Sequence, residues 1–379
     1  MKLYKSTITV LLLLALTLVM AACGGRVFAE VSRLGQELGQ LAALAGSARP
    51  AQVGVLFSYE NVWALELDSK PATMQALEVI RPWYDALLAT NAPLDFVHPD
   101  DDLSRYRVLL APLLYQMTAA LAEALRRFVA GGGTLIVTYF SGIVDEQEQI
   151  WLGGYPGLLQ DVLGLVVEEW QPLLPEESVG LRLLGDGATA RGTHWVDLLH
   201  TTPAETLASF TSGFFAGRPA ITRHAHGRGV AYYVATRPDE ATLTRFFDDV
   251  LRERDIRPPL AAPPAVQATE RVKDGQRYLF VINHAASEAA VDMQTTTGID
   301  LLTGRHMGGQ VALAPYDVLI IKVDIAPDGA GGRHDHALHR AAPPPQSADR
   351  RVASRLAPSH QPPVAGHGRA AAAGPAPGL

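Results

Sequence analysis

Between residues 26 and 45, Val27, Val31, Leu34, Leu38 and Leu41 recur at spacings of four and three. That is the apolar stripe of an amphipathic helix, which needs a partner surface because an isolated helix of this length is marginal. Ser47 to Pro50 end it. The pattern then alternates between short apolar runs and amphipathic stretches. Gln52–Phe57 reads as a strand, Pro71–Asn91 as a helix, and Asp95–Val97 and Arg107–Ala111 as strands. A helix over Thr118–Ala130 closes on Gly131-Gly132-Gly133, and Thr134–Phe140 is a strand. Leu158–Leu163 and Val166–Glu168 add a helix–strand step; Val230–Ala235 is a late strand, followed by a helix over Asp239–Arg254. Continuous apolar strands between amphipathic helices imply a parallel sheet covered on both faces. The expected fold is α/β, a doubly wound flavodoxin-like or amidotransferase-like domain over 50–257.

Beyond Pro258-Pro259 the period changes. Val266–Val272 and Gln276–Asn283 flank Asp274-Gly275, a hairpin with a type I′ signal. Val291–Met293, Ile299–Leu302 and Val318–Val323 follow with no helix between them. A small antiparallel β-sandwich over 262–325 is expected.

Both ends differ from this middle. Lys2 and Lys5 precede a fifteen-residue uncharged run, Ile8–Ala22, shorter than the ~20 residues of a membrane-spanning helix and the right size for a signal peptide. The run ends in Met20-Ala21-Ala22-Cys23, which resembles the bacterial lipobox, and Cys23 is the single cysteine of the 379 residues. Residues 1–23 are read as a lipoprotein signal, with lipid on Cys23 and export to a bacterial membrane; a cytoplasmic protein is the alternative if the N-terminus is mis-assigned. At the other end, 331–379 holds eight of 26 prolines and five of twelve histidines, with six Arg against two Asp. Such a segment buries too little surface to offset its ordering entropy, so a disordered tail is expected.

Charge and cysteine count exclude several functions. The formal charge of -7 makes a phosphate-backbone binder a poor reading, so no nucleic-acid partner is expected. One cysteine, placed in the signal, excludes a disulfide framework, a Cys-rich zinc site and the Cys–His–Glu nucleophile system of an amidotransferase. Gly131–Gly133 follows a helix and precedes a strand, the reverse of a dinucleotide fingerprint. No metal or cofactor is called for. Two stretches after strand ends remain as candidate surfaces, 58–66 and 139–146, and they should lie near one another. Tyr59, Glu60, Trp63, Phe140, Asp145 and Glu146 are the residues to expect at a subunit interface or beside a sugar.

Six ordered segments carry a family resemblance: FSYENVWALELDSKP (57–71), WYDALLATNAPLDFVHPDDDLSRYRVLLAPLLY (83–115), FVAGGGTLIVTYFSGIVDE (128–146), LGGYPGLLQDVLG (152–164), GRPAITRHAHGRGVAYYVATRPD (217–239) and YLFVINHA (278–285). Residues 26–323 resemble the C-terminal part of glycoside hydrolase family 42 β-galactosidases. The resemblance implies a trimerisation domain followed by a small β domain, with helix 26–49 a remnant of the last helix of the catalytic barrel. The family's catalytic glutamates sit on that barrel, which needs at least ~200 residues. Only 28 residues separate Cys23 from Gln52, so no catalytic residue is transferable. The resemblance implies a non-catalytic homotrimer built by 50–257; Trp63 is the expected anchor, because buried Trp residues dominate interface energetics. The alternatives are a β-galactosidase subunit completed by a separate barrel-bearing chain, and a carbohydrate-binding lipoprotein using the aromatic loops.

Overall fold

The computed structural model describes residues 25–67 and 70–324. The signal reading over 1–23, Cys23 itself and the tail over 331–379 lie outside them.

Helix α1 spans 25–40 and passes through a 3-10 turn, Leu41–Leu44, into the body of the protein. The turn is fastened to the β domain: Lys273 Nζ donates to the carbonyls of Ala43 and Ala45, and Arg271 Nε to Ser47 Oγ at 2.8 Å. The apolar positions of α1 behave otherwise. Val27, Val31, Leu34 and Leu38 are all exposed, and only Leu41 is half-buried.

The α/β domain begins as the apolar runs foretell. Strands β1 (Val53–Leu56), β2 (Leu94–Val97), β3 (Val108–Ala111) and β4 (Thr134–Thr138) pair in parallel in the order β2-β1-β3-β4. All residues of β1, β3 and β4 are buried, which is what a sheet covered on both faces requires. Gly54 lies where a Cβ would come within 2.7 Å of Leu109, so the neighbouring strand needs glycine there.

Helix α2 (Tyr59–Glu66) follows β1, capped by Ser58, whose side chain accepts from the amide of Asn61. A helix thus stands where a loop is expected, and its local signature is the Ser58 cap with Glu60 in the first turn. Helix α3 is Ala76–Ala89, shorter than the expected 71–91. Pro71 does not open it; the amide of Ala76 is instead capped by the Glu66 carboxylate of α2 at 3.0 Å. Ala76, Val79, Ile80, Trp83, Ala86 and Leu87 of α3 are buried, at the spacing of one helix face. Helix α4 (Ala119–Ala130) is capped by Thr118 and ends through the three glycines, with the amide of Gly133 returning to the carbonyl of Phe128 at 3.0 Å. The glycine run is a helix C-cap, as its position implies.

The largest departure lies between 165 and 226. After the short helix α5 (Gln160–Leu163) come β5 (Leu165–Pro172), β6 (Val179–Leu183), β7 (Thr189–Thr201), β8 (Glu205–Phe210) and β9 (Pro219–His226). Strand β10 (Gly229–Val234) joins β4 in parallel and β9 in antiparallel fashion. Strand β11 (Thr236–Pro238) pairs with β7. The sheet therefore has eleven strands, β11-β7-β6-β8-β9-β10-β4-β3-β1-β2, with β5 also on β7. Half of it is an antiparallel extension that a doubly wound plan lacks. Helix α6 (Glu240–Glu253), capped by Asp239, completes the layer with Leu243, Phe247, Val250 and Leu251 inward.

The β domain holds β12 (Val266–Lys273), β13 (Gln276–Asn283), β14 (Ala289–Asp292), β15 (Gly298–Asp300), β16 (His306–Met307), β17 (Gln310–Leu313) and β18 (Val318–Val323). They form one sheet, β12-β13-β18-β15-β16, and the pair β14-β17. Asp274 and Gly275 both take positive φ, 49° and 79°, as a type I′ hairpin demands.

Asn91 staples the two domains. Buried at the end of α3 with φ 55°, it donates to the carbonyl of Val266 at 3.3 Å and accepts from the amide of Ala268 at 2.9 Å. Asn91→Ala deletes both bonds, leaves two buried backbone groups of β12 unpartnered and replaces a residue type that tolerates the left-handed region with one that does not. We expect it to lower unfolding stability by about 2 kcal/mol in urea titration; a loss below ~0.5 kcal/mol would contradict the staple.

Candidate functional site

Parallel α/β sheets place their ligands at the carboxyl ends of the strands. Here that edge is closed by side chains. Phe140 turns the chain sharply after β4 with φ 56° and is buried. Its ring lies 4.6 Å from Trp195 of β7 and 5.1 Å from Tyr115, with Trp170 edge-on at 6.2 Å. Tyr139 is wholly buried between Trp83 of α3 and Trp195. Phe140, expected at a surface, is instead part of this plug. An apolar ring of its size gains more from the cluster than from solvent contact.

Beneath the rings lies a carboxyl group. Asp197 of β7 is buried and accepts hydrogen bonds from Tyr233 Oη at 2.6 Å, Trp195 Nε1 at 2.7 Å and the amide of Phe140 at 3.3 Å. The donors come from β10, β7 and the turn after β4. Burial pushes its pKa up to about 6, against the opposing pull of the three donors. The same burial raises the Tyr139 and Tyr233 hydroxyls, and the Asp197 charge adds to both. His194, at φ 72°, meets Tyr139 Oη at 3.0 Å, and burial lowers its pKa. The arrangement can hold a proton, but rings fill the space where a substrate would approach Asp197. Asp197 is not among the residues expected at a site, because the apolar pattern of 189–201 does not announce strand β7. The usable signal was the period-two run Trp195, Asp197, Leu199.

The other expected residues are at the surface. Tyr59, Glu60 and Trp63 form the outward face of α2, with Leu67 exposed just beyond its end, while Asn61, Val62, Ala64 and Leu65 face inward. Tyr59 is 63% exposed and Trp63 62%. Their rings are 6.1 Å apart, and Tyr59 continues through Phe57 to Phe96, 53% exposed, and on to Tyr84. Five aromatic rings thus run along one surface from α2 to strand β2. Glu60 borders it, its pKa lowered chiefly by a backbone hydrogen bond at the helix start, with His98 Nε2 at 3.7 Å. Asp145 is half-buried and builds its own turn, accepting from the amides of Gln147 and Gln149. Glu146 is exposed. The two stretches meet through 113–117: Asn61 bonds to the carbonyl of Leu113 and the amide of Gln116, and Ser141 Oγ accepts from Leu114. Among the described residues, no three His, Cys, Asp or Glu side chains converge on a metal-sized site, and no helix is long and apolar enough to cross a membrane.

The buried carboxyl gives a pH test. Its folded-state pKa is raised, so its stabilising contribution is full below the unfolded value of ~3.9 and is lost as pH rises through about 6. In Asp197→Asn that dependence is gone. The unfolding free energy of the parent relative to Asp197→Asn should therefore be greater at pH 5 than at pH 7, by about 1 kcal/mol. An equal difference at both pH values contradicts the assignment.

Comparison with known proteins matches these domains. The β-galactosidase trimerisation domain matches residues 51–257, and the β-galactosidase C-terminal domain matches 265–322. The β-galactosidase LacZ of Heyndrickxia coagulans is 40% identical over 300 residues, 79% of this chain and 44% of its own. A β-galactosidase of Geobacillus kaustophilus is 40% identical over 300 residues, covering 78% and 44%. The crystal structure of β-galactosidase from Bacillus circulans sp. alkalophilus superposes with a TM-score of 0.77 at 38% identity, over 79% of this chain and 45% of that one. The chain spans less than half the length of these relatives, over the region of the two named domains. It belongs, by both domains, to the glycoside hydrolase family 42 β-galactosidases.

Proposed function

We propose that this chain is an assembly unit: a homotrimer formed through the α/β domain, contributing no hydrolytic residues of its own. The observation that carries the reading is the contrast between the two aromatic groups. The rings at the sheet's carboxyl edge are packed shut around Asp197, whereas those on α2 and β2 are left in solvent. Exposed contiguous aromatics are costly unless a partner covers them, and Trp and Tyr dominate interface energetics. The family's name for residues 51–257 supports self-association. Glycoside hydrolysis requires an acid and a nucleophile or base flanking the scissile bond, commonly about 5–10 Å apart. The described residues form no (β/α)₈ barrel to present such a pair. A separate barrel-bearing chain is the partner that would restore hydrolysis.

The purified chain alone should sediment at three times its monomer mass at micromolar concentration and leave a chromogenic β-galactoside intact. Trp63→Ala should weaken association by about 2 kcal/mol, roughly thirtyfold. A monomer defeats the trimer, turnover above host background defeats the non-catalytic reading, and an unaffected Trp63→Ala trimer defeats the anchor.

We also propose that Cys23 carries lipid. Stable anchoring needs more than one acyl chain, as a lipoprotein acquires. Cys23→Ser should move the protein from the membrane to the soluble fraction; unchanged fractionation contradicts it.

A further inference from the structure

Helix α1 carries the longest apolar stripe that the described structure leaves uncovered. Val27, Val31, Leu34 and Leu38 follow the four-three spacing of a heptad seam, with Val31 and Leu38 at a and Val27 and Leu34 at d. All four are at least half exposed. The e positions widen the stripe on one side: Phe28, 73% exposed, and Gly35, around which a Cβ would meet nothing within 4 Å. The g positions on the other side are Glu30 and Glu37, and each is already paired within its own helix, Arg26 Nε to Glu30 at 2.9 Å and Arg33 Nε to Glu37 at 2.8 Å. The seam is therefore apolar along its length and flanked by charges neutralised in place.

Those features select the occupant. A second copy of α1 running parallel sets the apolar e column of one helix against the self-neutralised g column of the next. An antiparallel copy would bring the Glu30 and Glu37 columns of two helices together. An a/d/e stripe is broader than a two-stranded seam uses and matches a bundle of more than two helices. Cyclic symmetry, which a homotrimer has, runs all its α1 copies in one direction along the axis. The helix also needs such support: it holds Gly35 and Gly39, each costing about 1 kcal/mol relative to Ala, and among the described residues no surface covers its stripe.

We propose that α1 forms a second contact of the assembly, a short parallel three-helix bundle closed on Val27, Val31, Leu34 and Leu38. The inference rests on the homotrimer reading above but uses a different surface from Trp63.

Single cysteines placed in the full chain, in a Cys23→Ser background, test it. Leu34→Cys lies on the seam and Gln36→Cys on the opposite, outward face. Under mild oxidation Leu34→Cys should give a cross-linked dimer on a denaturing gel, two of the three thiols pairing, and Gln36→Cys only a trace. A chain that sediments as a trimer while Leu34→Cys fails to cross-link overturns the bundle and leaves the homotrimer standing. Equal cross-linking of the two variants also overturns it. A monomeric chain without a Leu34→Cys cross-link overturns both.

Discussion

Asp197 joins the two halves of the large sheet. Its carboxyl takes donors from β10 in the parallel half, from β7 in the antiparallel extension and from the turn after β4. Its own amide bonds to the carbonyl of Ala235, just beyond β10. A carboxyl buried this deeply is tolerated only because each oxygen is used. Once that group is placed, the rings above it follow. Tyr139, Phe140 and Trp195 must lie close over it to keep water out, and they occupy the edge where a parallel sheet ordinarily binds ligands. The same interaction that unites the sheet therefore removes its usual site.

With that edge closed, the surfaces left to act are lateral. The face of α2 displays Tyr59 and Trp63 because the opposite face, through Asn61, is fixed to the 113–116 segment. The aromatic run to Phe96 and Tyr84 ends at β2, the last strand of the sheet. The β domain sits at the far end of α3, held by Asn91, and grips the 3-10 turn after α1 through Lys273 and Arg271. The exposed aromatic face and the domain staples are thus built on separate elements, so one can be altered without unfolding the other.

Much of this was legible in the sequence. The strands β1, β3 and β4 are continuous apolar runs, and the glycine cap, the Asp274-Gly275 hairpin and helices α4 and α6 each have a local signature that the structure bears out. What escaped has a common cause. The extension over 165–226 has half-buried strands in which polar residues such as Glu169, Arg182 and His200 interrupt the apolar pattern. A carboxylate such as Asp197 reads locally as a surface residue, and only distant partners, Tyr233 and Phe140, make it a core one. Helix α2 was obscured by its own aromatics, whose exposure on one face is set by the packing of the opposite face through Asn61 rather than by local propensity. For Phe140 the strand end was recognised, but the direction of its side chain depends on a left-handed turn that sequence does not announce for phenylalanine.

The proposed association lies on the outer face of α2, while the sheet edge is core. Backbone hydrogen exchange of the full chain, measured at concentrations below and above assembly, reads both places at once. The account predicts that amides over 59–66 gain protection on assembly while those around Phe140 and Asp197 are protected at both concentrations. Protection over 59–66 that does not change with concentration in a chain that assembles, or amides beside Asp197 that exchange freely in the unassembled chain, would contradict it.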